Sequence, residues 1–376
     1  MYELDWEELR REFPVTRHTA YLNSAAAGPV LAAAAEAAIN YYTEMTETGD
    51  ANWEEWLEQR ERARHSLARL INAEPEEIAF TTNTSSGMNL IVDALEKSGE
   101  VVSCDLEFPV TTLPWLHRGI PVYQIETANG EVHAADISEA MTSETAIISL
   151  SHVQYSNGFR ADLEEIGRNK GECVFVVNAS QSIGVLPLDV KRMRIDALCA
   201  TGHKWMLAGY GSGFVYISRA LLERTRPRAI GWMSVGEPFA MRNREFQLRG
   251  DASARAELGC PPFASIFALA ASADNLLRLG TANVEGRALA LNRHLTTRLI
   301  DAGWTVLSPL RDEAMRSAET LVAVETPSRV VSYLAQRNVH VTEKPQGLRV
   351  ATHFFNNEAD IARLIEALNE TRASNS

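Results

Sequence analysis

No apolar run in this chain is long enough to cross a bilayer. The longest apolar helix candidate, residues 262–271, falls far short of the ~20 residues a span requires. Cysteine is scarce as well. The four thiols, Cys104, Cys173, Cys199 and Cys260, are scattered without metal-ligand spacing, so no metal site is expected. Cys173 and Cys199 lie in strand-like runs and Cys104 closes another, which reads as small core residues in a reducing, cytoplasmic setting. Basic residues are outnumbered, 36 Lys and Arg against 49 Asp and Glu, for a formal net charge of -13. That sign argues against a nucleic-acid backbone or an anionic membrane as the main partner, although local donors can still hold a small anion. Residues 1–14 are acidic and helix-like, with no basic stretch leading into an apolar run, so no secretory signal is expected. No glycine fingerprint follows the first strand of the sheet, which argues against a dinucleotide-binding enzyme. There is no internal repeat, and only the tail at 371–376 is expected to fray.

What the chain does have is alternation. Strands are expected at 77–82, 100–104, 122–125, 146–150, 173–177, 196–200 and 214–217, with helices at 88–95, up to about His117, 137–141 and 163–169. Such alternation predicts an α/β domain, an open and largely parallel sheet covered on both faces, with ligands beyond the strand ends. An amphipathic helix at 52–71 precedes it. Trp53, Trp56, Ala63, Leu67 and Leu70 share one face there, so the tryptophans read as core or interface rather than ligand contacts. Beyond 218 the pattern loosens into a loop at 229–249 carrying Trp232, then helices from about 262 and at 283–300. Strands at 304–307, 320–324, 339–342 and 348–351 with helices at 329–337 and 358–368 predict a small α+β module. The expected division is a large domain at 17–282 and a small one at 283–376, joined by the N-terminal segment 1–16.

Lys204 is the residue around which the motifs gather. It stands between two apolar runs and before Gly209, Gly211 and Gly213. Burying an ammonium without a partner is costly, so such a lysine is either solvated at a sheet edge or held for chemistry such as Schiff-base formation. Asn83-Thr84-Ser85-Ser86-Gly87, between a strand and a helix, reads as an anion cradle or as ordinary N-capping by Thr84 or Ser85. The loops carrying Ser85, Phe108, His152, Asn178, Gln181 and Lys204 are the expected pocket walls. Ser24-Ala25-Ala26-Ala27-Gly28-Pro29 is small enough for close approach of backbone or ligand. A lone arginine in a strand, Arg349, would on its own be read as snorkelling outward.

These blocks in this order (21–28, 80–89, 107–115, 151–158, 176–184, 201–213 and 348–358) resemble the fold-type I pyridoxal-phosphate enzymes of the class V aminotransferase and cysteine desulfurase group. The similarity covers essentially the whole chain, and Gly202-His203-Lys204 is its most specific part. The resemblance implies pyridoxal 5'-phosphate as cofactor, a three-layer large domain with a small C-terminal domain, and a homodimer with active sites near the interface. It implies that Lys204 carries the cofactor as a Schiff base and moves the substrate's Cα proton. Thr84, Ser85, Thr201 and His203 correspond to phosphate ligands, Gln181 to the donor to the cofactor's phenolic oxygen, and Phe108 to the residue stacked on its ring. Arg349 corresponds to the clamp on the substrate α-carboxylate, with Tyr155 and Ala26 beside the substrate. His152 and His353 could line the pocket or be satisfied structural histidines, and Trp232 falls near the group's substrate mouth.

The departures from the group's pattern bear on the reaction. Asn178 stands where the group has an aspartate facing the pyridine nitrogen, and a neutral amide makes the ring a weaker electron sink. Phe108 replaces a histidine, so it can stack but cannot relay a proton. Residues 340–347 contain none of the cysteine that desulfurases place before the arginine strand, and Cys260 sits at a turn where the group has threonine. The expected function is therefore an enzyme acting on a small α-amino acid by amino-group transfer or by C–S or β-elimination. Persulfide-forming desulfuration is disfavoured, and an inactive cofactor-binding homologue is the alternative from another class.

Overall fold

The computed structural model describes residues 4–95 and 99–373; residues 1–3 of the N-terminal segment and 374–376 of the tail lie outside them. After a two-residue strand, β1 (Ala20–Tyr21), seven strands build the main sheet: β2 (Ile78–Thr81), β3 (Glu100–Cys104), β4 (Val122–Ile125), β5 (Thr145–Ser151), β6 (Val174–Asn178), β7 (Ala197–Thr201) and β8 (Gly213–Ile217). Their order is β2-β8-β7-β6-β5-β3-β4. β8 is antiparallel to both neighbours, and every other pair is parallel. β2 therefore points the same way as β7. The loops that follow β2, β3, β5, β6 and β7 all open at one edge of the sheet.

All five residues of β6, β7 and β8 are buried, as near-continuous apolar runs require when helices cover both faces. Leu67, Ile71, Phe267 and Leu269 pack one face; Met88, Ile91, Val92 and Trp115 pack the other. Trp53 and Trp56 lie 5.4 and 5.7 Å from the Phe263 ring, in the core role expected of them. Among the described residues no helix is long and apolar enough to cross a membrane.

The C-terminal module contains β9 (Glu319–Ala323), β10 (Val339–His340), β11 (Thr342–Lys344) and β12 (Gly347–Ala351). β10 pairs in parallel with β1, while β11, β12 and β9 form an antiparallel sheet in that order. Side chains alternate across a strand, so register decides what each face carries. Val322, Leu348 and Val350 face a core built by Leu291, Leu295, Leu334, Leu364 and Leu368 of three covering helices. Lys344 pairs with Gly347, Arg349 with Leu321 and Ala351 with Glu319. The same register thus sends Glu319, Arg349 and Lys344 to the opposite face.

Three expected elements differ. The strand at 304–307 is reduced to one bridge, Val306 with Val322, because Pro309 has no N–H to extend a ladder. The strand at 339–342 is split at Val341, where the chain leaves β1 and joins β12. The helix expected from 88 begins at Thr84, because Asn83 caps it: the Ser86 N–H donates to Asn83 Oδ1 at 2.9 Å. Capping by Thr84 or Ser85 is thereby corrected, and both hydroxyls are left for other work.

Candidate active site

The loop after β7 carries Thr201, His203 and Lys204. Thr201 Oγ1 lies 2.7 Å from His203 Nδ1, and the imidazole stacks on Tyr210 with centroids 4.5 Å apart. Burial, and then the neighbouring Lys204 charge, push His203 down to about 4, so it is neutral near pH 7. The Ser24–Pro29 stretch lies directly on this loop. Gly28 N–H donates to the His203 carbonyl at 2.8 Å, and a Cβ on Gly28 would come within 2.3 Å of the Lys204 carbonyl. Ala26 belongs to this same turn. On the other side, Thr84 Oγ1 is 2.6 Å from Ser180 Oγ, and Ser85 is exposed at the first turn of the Thr84–Leu95 helix.

Beyond β6, each amide has a fixed orientation. Trp205 Nε1 donates to Gln181 Oε1 at 2.8 Å, which turns Gln181 Nε2 to the Ala25 carbonyl at 3.0 Å. Asn178 Oδ1 accepts from Ser180 N–H, and its Nδ2 donates to Thr111 Oγ1, each at 3.1 Å. Phe108, half exposed at 43 %, lies with its ring centre 5.8 Å from Lys204 Nζ. Tyr155 packs edge-on against Phe108, its carbonyl accepts from Arg349 Nη1 at 3.1 Å, and its ring lies 4.2 Å under Lys344 Nζ.

Lys204 from the large sheet and Arg349 from the small one therefore face a common space. Burial and the Arg349 charge lower Lys204 to about 8, with Glu319 opposing. Burial and Arg349 likewise lower Lys344 to about 8. Glu319 is raised to about 7 by burial, against the pull of Arg349, Lys204 and Lys344. Sequence reasoning missed Glu319 and Lys344. No local signal marked them, because the same strands also carry Thr320, Thr342, Glu343 and Arg349, and only cross-strand register gathers Glu319 and Lys344 around Arg349.

Of the other candidates, His353 is held structurally. His353 is buried, with Nε2 donating to the Trp205 carbonyl at 2.9 Å and Nδ1 accepting from Phe354 N–H at 2.8 Å. His152 is buried and held well below its usual value by desolvation. Cys104, Cys173 and Cys199 are buried, as expected, while exposed Cys260 lines a cleft with Thr82, Ser86 and Asn89. Trp232 packs edge-on against Phe239. Among the described residues no cluster of His, Cys, Asp and Glu is arranged to hold a metal ion.

The donor set fits pyridoxal phosphate. Hydroxyls and a helix N-terminus offer donors suited to a phosphate, a lysine amine is lowered to about 8, an aromatic ring flanks it, and buried Arg349 Nε has no hydrogen-bond partner among the described residues. The chain matches the family "Aminotransferase class-V" over residues 20–371. It is 26% identical to an uncharacterized aminotransferase, YcbU, of Bacillus subtilis, covering 96% of this chain and 97% of that one. It is also 26% identical to a probable cysteine desulfurase of Methanothermobacter thermautotrophicus, covering 97% of each. Among solved structures, a cysteine desulfurase from Thermococcus onnurineus superimposes with a TM-score of 0.90 over 99% of both chains at 23% identity. The cystine C–S lyase C-DES does so with 0.85 over 95% of this chain and 99% of that one, also at 23%. The chain belongs to the class-V aminotransferase and cysteine desulfurase family of fold-type I pyridoxal-phosphate enzymes.

Proposed function

We propose that this chain is a lyase that cleaves the C–S bond of a cysteine-like α-amino acid and releases the sulfur as a free sulfide or persulfide. Family membership carries the coarser statement, a pyridoxal-phosphate transferase or lyase. The finer reading rests on one observation: the hairpin that faces Lys204 and Arg349 offers Lys344 and no thiol. The sequence left amino-group transfer and C–S or β-elimination side by side, and the relatives named as a probable cysteine desulfurase and a cystine C–S lyase support sulfur chemistry. No thiol faces Lys204 and Arg349 to carry a protein-bound persulfide among the described residues: Cys104 and Cys199 are buried with their thiols pushed far up by desolvation, Cys173 is buried, and exposed Cys260 lines a separate cleft.

In this reading Arg349 grips the α-carboxylate through the guanidinium edge that has no partner within the chain. Lys204, whose amine is half neutral near pH 8, takes the Cα proton. The bound cofactor supplies the sink for the electron pair left at Cα. Sulfur leaves Cβ as thiolate, and water completes the reaction to pyruvate and ammonia. Thr84, Ser85, Thr201 and His203 hold the phosphate, Gln181 donates to the phenolic oxygen, Phe108 covers the ring, and Ala26 and Tyr155 border the substrate. Asn178 offers an amide where a carboxylate would hold a proton on the ring nitrogen.

A homodimer in the cytoplasm belongs to the same proposal; exposed Ile39, Tyr42, Met45 and Phe246 support a covered surface, and four free thiols support a reducing compartment. So does the division at 282/283. The Arg10–Asp360 ion pair at 2.7 Å and the Arg10 hydrogen bond to the Phe355 carbonyl support the N-terminal segment as joined to the small domain.

The test is product analysis of the holoenzyme with L-cysteine and L-cystine. Pyruvate and ammonia with sulfide or persulfide are expected, and Lys204→Ala should lose both product and visible band. Alanine as product would mean desulfuration, and a new amino acid on adding a keto acid would mean amino transfer; either overturns the lyase reading.

A further inference from the structure

Glu319 is the carboxylate that no assigned role uses. Its side chain is 0 % exposed, and neither oxygen has a hydrogen-bond partner among the described residues. The nearest charge is Arg349, with Nη1 3.6 Å from Glu319 Oε2. A carboxylate in such a place costs stability unless charge or a ligand compensates it. Gly158 seals the spot: at φ +77, its Cα lies so close that an added Cβ would be 2.7 Å from the Glu319 carbonyl and 2.9 Å from its Cβ. Solvent cannot satisfy the group, and the backbone does not.

Register explains why it is there. Glu319, Arg349 and Lys344 project from adjacent strands on one face, toward Lys204 on the other domain's loop. Three cations therefore surround one anion. Arg349 is gripped through Nη1 by Glu319 and by the Tyr155 carbonyl, which leaves its Nε side, buried and unpartnered, for a ligand.

We propose that Glu319 is the internal counter-anion of the carboxylate subsite: it holds Arg349 before substrate arrives and takes up one proton when a substrate carboxylate joins the guanidinium. This rests on the reading of Arg349 as the carboxylate clamp. Lys344 is held low and Lys204 carries the cofactor, which leaves the Arg349 guanidinium as the shared partner of two carboxylates in a dry pocket; the one without hydrogen bonds takes the proton. The charged groups facing Glu319 are Arg349 from β12, Lys344 from β11 and Lys204 from the loop after β7; the loop at Gly158 presents only backbone. With Glu319 at about 7, it is already neutral at pH 6 and anionic at pH 8. Carboxylate affinity should therefore fall as pH rises, by about tenfold from pH 6 to pH 8.

The experiment titrates holoenzyme with propionate, a carboxylate without the reacting amine, following the visible band at pH 6 and pH 8. Wild type should weaken about tenfold more than Glu319→Gln across that interval. The holoenzyme carries its cofactor on Lys204, and Glu319 itself raises Lys344, so both titrations are repeated in a Lys344→Met background, where the remaining pH dependence isolates Glu319. Calorimetry of wild type in buffers of different ionisation enthalpy should show uptake of nearly one proton per propionate at pH 8, which needs no variant. Equal pH dependence in the two proteins, or no proton uptake, overturns the proposal. If Arg349→Gln leaves propionate binding unchanged, the clamp reading has failed instead.

Discussion

Replacing Asn178 by aspartate, the residue the family pattern would lead one to restore, should damage this chain rather than repair it. Asn178 is 4 % exposed, and its Nδ2 donates to Thr111 Oγ1 at 3.1 Å. A hydroxyl has one hydrogen, and that of Thr111 helps stabilise the Glu107 carboxylate. Glu107 is itself buried and accepts from Ser151 N–H at 2.6 Å, from Gln154 Nε2 at 2.8 Å and from the Ser151 hydroxyl. The polarity of this relay runs one way, amide to hydroxyl to carboxylate. Aspartate at 178 would face an oxygen that has no hydrogen to give, with a second buried carboxylate behind it.

The cost is that of an unmatched buried acceptor, about 1–3 kcal/mol. Glutamine at 107 reverses the relay: its amide can donate to Thr111, whose hydroxyl then donates to the carboxylate introduced at 178. Urea unfolding of the apo-protein at pH 8 should show Asn178→Asp destabilised by that amount. The double variant with Glu107→Gln should recover at least about 1 kcal/mol relative to the sum of the single changes. The pH sign follows. A carboxyl raised by burial keeps its proton when folded and loses it when unfolded above about pH 4, so the deficit grows with pH and shrinks toward pH 5. Additive single and double variants, or an Asn178→Asp protein as stable as wild type at pH 8, would refute the relay.

Capture of pyridoxal phosphate by the apo-protein needs the neutral Lys204 amine, so its rate should rise about tenfold between pH 7 and pH 9 and level off thereafter, following a group at about 8; stopped-flow absorbance reads this directly, and a midpoint near the ordinary lysine value would contradict it. Trp205→Phe leaves Gln181 Oε1 buried without its 2.8 Å donor, for an expected loss of about 1–3 kcal/mol in chemical denaturation and weaker cofactor retention. Ser85→Ala should raise the cofactor dissociation constant, measured by equilibrium dialysis, with little change in stability, because Asn83 and not the exposed Ser85 hydroxyl caps the helix.

Residues whose chemistry is written in local sequence were legible in advance. Strands 100–104 and 122–125 fell where expected, because short apolar runs bounded by turn residues leave few alternatives. Lys204, Thr201, His203, Asn178 and Gln181 were singled out by the family resemblance, and parallel strand order brings their loops to one edge. The helix start at Thr84 was missed because a hydroxyl-rich turn looks like loop until the Asn83 cap is seen to nucleate the helix before the first apolar residue. The strand at 304–307 was over-read because its pattern was weighed without Pro309.

Glu319 and Lys344 were illegible for a different reason. Nothing near Glu319 in the chain distinguishes it from a surface carboxylate at the start of a strand, and Lys344 looks like any hairpin lysine. Their meaning comes from cross-strand register, which pairs 319 with 351 and 344 with 347 and so gathers them around Arg349. The same holds for Glu107, far along the chain from the amide it supports through Thr111. Both cases move charge away from its expected position. The anion absent at 178 reappears one hydroxyl away at 107, and Arg349, Lys344 and Lys204 are balanced by an anion, Glu319, from a strand no motif covers. A variant that edits one of these groups by analogy with relatives should therefore fail unless its partner is edited with it, which is why the paired changes, and not the single ones, are the informative experiments.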